Sequence, residues 1–159
     1  MQTTQQIAKH FREVFFGGNW TSVNLKEILK EVNWQQATTQ VHSCNTIATL
    51  VFHINYYVSA VLKVLQGGPL DAHDKFSFDL PPIHSQQDWE QLKQKTFSEA
   101  EQFAALVEQL PDNKLTEDFT DKKYGSYYRN LYGIIEHTHY HLGQISLLKK
   151  IISVEVKSN

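Results

Sequence analysis

Residues 134–148 read IIEHTHYHLGQISLL and combine an apolar pattern with two evenly placed histidines. The apolar residues recur at the spacing of one face of an α-helix, so the segment predicts a helix. His137 and His141 are four residues apart and therefore project from the same side of that helix. Two imidazoles on one helix face could supply two ligands of a metal site, and the third would have to come from another part of the chain.

The strongest candidate for a third ligand is His53, which lies in the apolar run NTIATLVFHINYYVSAVLKVL, residues 45–65. A helix that is apolar nearly all round is central in its domain or buried in an interface. Three protein ligands with a fourth position open to water are typical of catalytic zinc sites. Cys44 is about 2.5 helical turns from His53, too far to bind the same ion. Glu136 precedes His137, so the H-E-x-x-H pattern of zinc peptidases is absent.

The rest of the chain predicts an all-α protein. Seven glycines and four prolines are too few for the many turns of a β-sandwich or barrel. Helix signals predict four long helices and a short one in the first connection. The long helices are expected from a cap at Thr3 or Thr4 to Gly17, from Ser43 or Asn45 to Gln66, from a cap at Ser85 to Pro111, and from a cap at Ser126 to Val154. We therefore expect a single domain over residues 1–159, a four-helix bundle with long connecting loops.

The connection over residues 67–84 has no predicted helix and holds three of the four prolines. Loops of this length without regular structure are commonly functional lids or binding loops. Asp71, Asp74 and Asp79 lie in or beside it, and each is more often a solvated acid than a catalytic group. We name no general base from the sequence.

Charge and composition exclude several classes of protein. The net charge is -2 and the charged residues are mixed, so a nucleic-acid partner is not expected. The basic cluster of Lys122, Lys123 and Arg129 is too small to change this. His53 and Lys63 are among the polar residues that interrupt the apolar run, which argues against a membrane span.

The compartment is expected to be the cytoplasm. A single cysteine cannot form an intramolecular disulfide, which suits a reducing environment. The N-terminal residues show no signal-peptide pattern.

Four further residues are candidates for positions around the metal. Gln144 follows His141 by three residues and is expected to orient a ligand rather than bind the ion. Gly133 removes a side chain one turn before His137, which either opens room for substrate or permits close helix packing. Tyr57 is four residues past His53 and either faces the pocket or packs in the core. His10, beside the buried stripe of the first helix, either packs or lines the pocket.

The chain resembles the DinB-like superfamily, also known through the YfiT type of metal-dependent enzymes. The resemblance is carried by LVFHINYY around His53 and by HTHYHLGQI, residues 137–145, and it extends over nearly the whole chain. It implies an up-down-down-up four-helix bundle, usually dimeric, that holds one divalent ion, most often nickel or zinc, on three histidines. Here these would be His53, His137 and His141.

Members of this superfamily include hydrolase-like proteins, thiol S-transferases and a thiol-dependent isomerase, so the resemblance implies metal-based chemistry without choosing the reaction. We expect a metal-dependent hydrolase or thiol S-transferase that acts on a small electrophilic substrate. The alternative is a non-catalytic metal- or ligand-binding bundle protein with a stress-related role. If Tyr57 or Phe52 fills the space beside the metal, the alternative is favoured.

Overall fold

The structure, a computed structural model, describes residues 2–155 and contains no β-strand within that range. It has six α-helices in this range: α1 (Thr3–Phe16), α2 (Leu25–Leu29), α3 (Trp34–Thr38), α4 (Ile47–Leu65), α5 (Gln86–Gln109) and α6 (Tyr127–Glu155). Short 3-10 turns occur at Asp74–Phe76, Asp112–Thr116 and Lys122–Tyr124. The four long helices form a bundle, so the predicted fold class is confirmed.

The order of the long helices around the bundle explains two of its three long connections, α1 to α4 and α5 to α6. Helix α5 packs against α1 and α4, and α6 packs against the same two helices. Consecutive long helices α1 and α4 therefore lie at opposite corners, as do α5 and α6. A chain that joins opposite corners has to cross the end of the bundle, which a tight turn cannot do.

The caps of α1 and α4 each lie one residue from the nearer of the two predicted positions. Helix α1 begins at Thr3 with Gln2 as its cap, because the buried Thr4 uses its hydroxyl to contact the Leu110 carbonyl and the Asp112 carboxylate. Helix α4 begins at Ile47 with Thr46 as its cap. It does not begin at Ser43 or Asn45, because residues 41–44 form a turn.

The connection between α1 and α4 contains two short helices where the sequence predicted one. Asn24 and Asn33 each accept a hydrogen bond from a backbone amide three residues later, and each begins a helix. The indole Nε1 of Trp89 donates to the Val32 carbonyl at 2.7 Å, which fastens this connection to α5.

The predicted caps of the last two long helices are confirmed. Ser85 accepts from the Asp88 amide at the start of α5. Ser126 accepts from the Arg129 amide at the start of α6.

Helix α4 is the most apolar element. By length and composition alone it could cross a membrane, but 67% of its apolar 18-residue segment is buried inside the protein. Its apolar surface is thus explained by packing, as expected of a core helix. This burial places His53 in the interior, facing α6.

Candidate metal centre

Helices α4 and α6 bring the three predicted ligands together. The Nε2 atoms of His53 and His137 are 3.0 Å apart, and those of His137 and His141 are 3.1 Å apart. One ligand atom from each ring lies within 4.8 Å of the others. His53 and His141 are buried, whereas His137 is partly exposed. A residue from the middle of α4 and two from one face of α6 therefore converge on one point.

The hydrogen bonds made by the Nδ1 atoms of His53 and His141 determine which ring nitrogen carries the proton. His53 Nδ1 lies 3.1 Å from the Ser77 carbonyl oxygen, which can only accept, so Nδ1 donates and Nε2 keeps its lone pair in the neutral ring. His141 Nδ1 lies 2.7 Å from Gln144 Oε1 and donates in the same way. Both lone pairs then point towards His137. This is the tautomer that a metal ion requires of ligands bound through Nε2.

His137 differs from the other two histidines. Its Nδ1 is buried and has no hydrogen-bond partner among residues 2–155. The pKa of His137 is lowered to about 4 by burial and by its two histidine neighbours. Burial also lowers the pKa of His53 and of His141. The three imidazoles are therefore neutral near pH 7, the form that binds metal.

The arrangement fits a divalent transition metal. Two nitrogens bound to one ion at about 2.0–2.1 Å lie roughly 2.9–3.4 Å apart. Two of the three Nε2 separations, 3.0 and 3.1 Å, fall in that range, and all three ligand atoms lie within 4.8 Å of one another. Imidazole nitrogens suit zinc, nickel, copper and iron. Without a cation, His137 Nε2 has at most one proton to share between the Nε2 lone pairs of His53 and His141. The buried cluster would then be incompletely hydrogen-bonded, which is costly.

The loop between α4 and α5 covers one side of the cluster. Besides the Ser77 carbonyl, it contributes the ring of Phe78, which stacks on His53. The Tyr57 hydroxyl donates to Asp74 Oδ1 at 2.8 Å, and Tyr56 hydrogen-bonds to the backbone of His73. The loop is thus held against α4 by two side chains that lie about one helical turn after His53.

A cavity of about 380 Å³ opens beside His137. Tyr57 forms part of its wall and leaves it open. A Cβ atom placed on Gly133 would meet nothing within 4 Å, so this glycine leaves space and is not needed for close helix packing. The wall consists of residues from α4, α6 and the two loops at this end: Tyr57, Ala60, Val61, Leu70, Ala72, Asp74, Phe119, Tyr124, Arg129, Asn130, Gly133, Ile134 and His137.

The structure does not bring His10 to the cluster. Its ring lies 6.0 Å from that of His139 and 6.2 Å from that of Tyr132, between α1 and α6. His139 points away from the metal ligands, as its position on the helix predicts, and burial followed by the charge of His10 lowers its pKa. The three remaining histidines, His42, His73 and His84, are exposed.

Sequence reasoning missed four groups at the site: the Ser77 carbonyl, the Phe78 ring, Asp74 and Arg129. Asp74 was considered and set aside as a solvated loop acid, whereas the structure places it in the cavity wall, bonded to Tyr57. The length of the 67–84 loop was the one signal for Ser77, Phe78 and Asp74, whereas Arg129 lies outside that loop, at the start of α6.

Comparison with known proteins agrees with this geometry. No curated protein and no solved structure matched the chain. The profile of the DinB superfamily matches residues 23–145, well over half of the chain and a range that includes all three histidines. The chain therefore belongs to the DinB superfamily.

Proposed function

We propose that the chain is a cytoplasmic, homodimeric enzyme that depends on one divalent ion, zinc or nickel, held by His53, His137 and His141. Its reaction would be hydrolysis or thiol transfer on a small electrophilic substrate. The observation that carries the proposal is the convergence of three neutral imidazole nitrogens beside an open cavity. A buried structural site would not need that cavity.

The chemistry follows from the donor set. His53, His137 and His141 would hold a divalent ion whose Lewis acidity would lower the pKa of water or a thiol, so that either would be a nucleophile at neutral pH. His137 lines the cavity, so a substrate in the cavity reaches the cluster from the side of this ring. The stacked Phe78 ring and the Ser77 carbonyl lie against His53 and hold its orientation.

Tyr57 and Asp74 supply the nearest proton-handling groups in the cavity wall. The pKa of Tyr57 is raised by burial and by its hydrogen bond to Asp74, so the hydroxyl stays protonated. Asp74 is a carboxylate on the same wall as His137. We assign it as the acceptor for the proton that the nucleophile releases.

One observation favours the non-catalytic alternative, a metal- or ligand-binding bundle protein with a stress-related role. The Asp74 carboxylate is already engaged by the Tyr57 hydroxyl. An Asp74→Asn variant separates the two functions: an enzyme loses turnover and keeps its metal, whereas a binding protein keeps both metal and ligand affinity.

The first experiment is elemental analysis of untagged protein purified without added metal, beside a His137→Ala/His141→Ala double variant. We expect about one zinc or nickel ion per chain, lost in the double variant while the helical circular-dichroism signal is kept. The loaded protein is then screened with activated esters and with a small thiol plus an alkyl halide. Absence of metal in the parent after incubation with zinc and nickel salts would overturn the metal site.

A further inference from the structure

We infer that the cavity beside His137 binds a small molecule with an apolar body and one carboxylate, and that Arg129 binds this carboxylate. The inference rests on the proposed function in one respect: it takes the cavity as the substrate site of the metal centre. It adds the chemical class of the substrate and a residue that selects it.

Arg129 is positioned by the turn that precedes it. Gly125 has a φ of +75°, a conformation that favours glycine, and a Cβ there would lie 2.8 Å from Arg129 Cδ. The absence of a side chain at Gly125 therefore lets the Arg129 chain lie across the turn. From the first turn of α6, Arg129 becomes part of the cavity wall.

The guanidinium of Arg129 has no anionic partner in the described part of the chain. It makes no ion pair and no side-chain hydrogen bond with residues 2–155. Arg12, by contrast, pairs with both Glu101 and Glu108. A guanidinium presents a planar fork of donors that matches a carboxylate with two parallel hydrogen bonds. An unpaired fork in a cavity wall is suited to a carboxylate brought by a ligand.

The cavity connects this guanidinium to the metal ligands along one face of α6. Arg129, Gly133 and His137 follow one another at four-residue intervals and share that face. The first and last are separated by about 12 Å along the helix axis. Gly133 lies between them and places no side chain in the path. A molecule anchored by its carboxylate at Arg129 can therefore extend towards His137.

The wall between these ends is mainly apolar. Val61 and Ile134 are buried aliphatic residues of α4 and α6, and Leu70 and Phe119 come from the loops. The volume of about 380 Å³ lies within the roughly 300–1,000 Å³ of typical small-molecule sites. The body of the ligand is thus a short alkyl chain or a single ring.

Asp74 limits the charge that the cavity accepts. Its carboxylate shares the wall with Arg129, so the two charges approximately cancel before a ligand binds. A phosphate monoester carries nearly two negative charges at neutral pH and is repelled by Asp74 more strongly than a carboxylate is. The balance favours a singly charged head group.

The test measures binding without turnover. Hexanoate is titrated into the full chain, zinc-loaded and metal-free, and backbone amide shifts are followed by NMR. The variant is Arg129→Gln, and the matched control is Lys150→Gln, which removes an equal charge from an exposed residue of α6 outside the cavity wall. We expect Arg129→Gln to weaken hexanoate binding about tenfold in both metal states, with Lys150→Gln within about twofold of the parent by the same measure. Hexanamide should bind the parent as weakly as hexanoate binds Arg129→Gln.

Several outcomes would overturn the inference. These are equal hexanoate binding by the parent and Arg129→Gln, equal binding of hexanamide and hexanoate, and tighter binding of hexyl phosphate than of hexanoate. Hexanoate binding that needs zinc and ignores Arg129 would mean that the carboxylate binds the ion, which also contradicts it. The metal-free titration requires neither metal nor activity. It therefore tests the role of Arg129 even if the proposed function is wrong.

Discussion

The ring of Phe78 lies parallel to the ring of His53, with centroids 3.8 Å apart and 7° between their planes. The preceding residue, Ser77, accepts the hydrogen bond from His53 Nδ1. Two adjacent loop residues therefore restrain one ligand. Phe78 stacks on the face of the His53 ring, and the Ser77 carbonyl binds the ring's outer nitrogen, Nδ1. Residues that orient a ligand in this way tune metal affinity without touching the ion.

Replacing Phe78 by alanine should weaken metal binding about tenfold, because loss of such supporting contacts commonly costs 10–100-fold. Competition with a chromophoric zinc chelator measures the change. Phe76→Ala is the matched control, since Phe76 is equally exposed in the same loop, at 45% against 43% for Phe78, and packs near His73 instead. Equal zinc affinities of the two variants would show that the stacked ring does not support the ligand.

Gln144 should be as important for metal affinity as Phe78. Its Oε1 lies 2.7 Å from His141 Nδ1 and fixes the tautomer that leaves Nε2 free for metal. Gln144→Met keeps the length of the side chain and removes the acceptor, so zinc affinity should fall about 10–100-fold. Gln144→Glu keeps an acceptor and should retain most of the affinity in the same chelator competition. Similar losses in both variants would point to packing as the role of this residue.

The sequence could place the metal ligands because regular helices carry them. His137 and His141 share a helix face through their spacing, and His53 lies in the most apolar helix, which had to be central. No comparable sequence pattern exists for the loop between α4 and α5. Ser77 acts through its backbone carbonyl, which any residue type would offer, and the stacking of Phe78 depends on an irregular path that has no periodicity.

Whether His10 packs or lines the pocket stayed open in the sequence for a different reason. Its position on α1 correctly placed it beside the buried stripe. Which neighbour His10 faces depends on the order of the helices around the bundle. That order is determined by tertiary packing and has no local sequence signal. The start of α1 shifted for a similar reason, because Asp112 in a distant turn accepts hydrogen bonds from the amide and the hydroxyl of Thr4.

The stability of the metal-free protein should fall on acidification because of His137. Its pKa in the folded chain is lowered to about 4 from its ordinary value of 6.5. Between these pH values the unfolded chain binds a proton that the folded chain does not. The free energy of unfolding is therefore complete above about pH 6.5 and decreases as pH falls towards about 4.

Thermal melting of the chelator-treated protein at pH 7.5, 6 and 5 measures this decrease. His137→Gln should make the dependence of Tm on pH shallower, because this titrating group is gone, while the lowered pKa values of His53 and His141 leave a smaller dependence of the same sign. His84→Gln, at an exposed histidine, should leave the slope unchanged. A parent and a His137→Gln variant with equal slopes would contradict the assignment of the decrease to His137.

The proposed homodimer has a candidate interface on α6. Tyr140, Leu147 and Val154 repeat every seven residues and are 66%, 59% and 64% exposed. A seven-residue apolar repeat forms one stripe along a helix and is typical of helices that pair with another helix. Leu147→Glu places a charge at the centre of this stripe and should convert a dimer into a monomer, measured by sedimentation velocity. Trp20→Ser is the control, because Trp20 is 98% exposed but outside α6. A monomeric parent, or a dimer that survives Leu147→Glu as well as Trp20→Ser, would exclude this interface. The metal content per chain should be the same in the parent and in both variants.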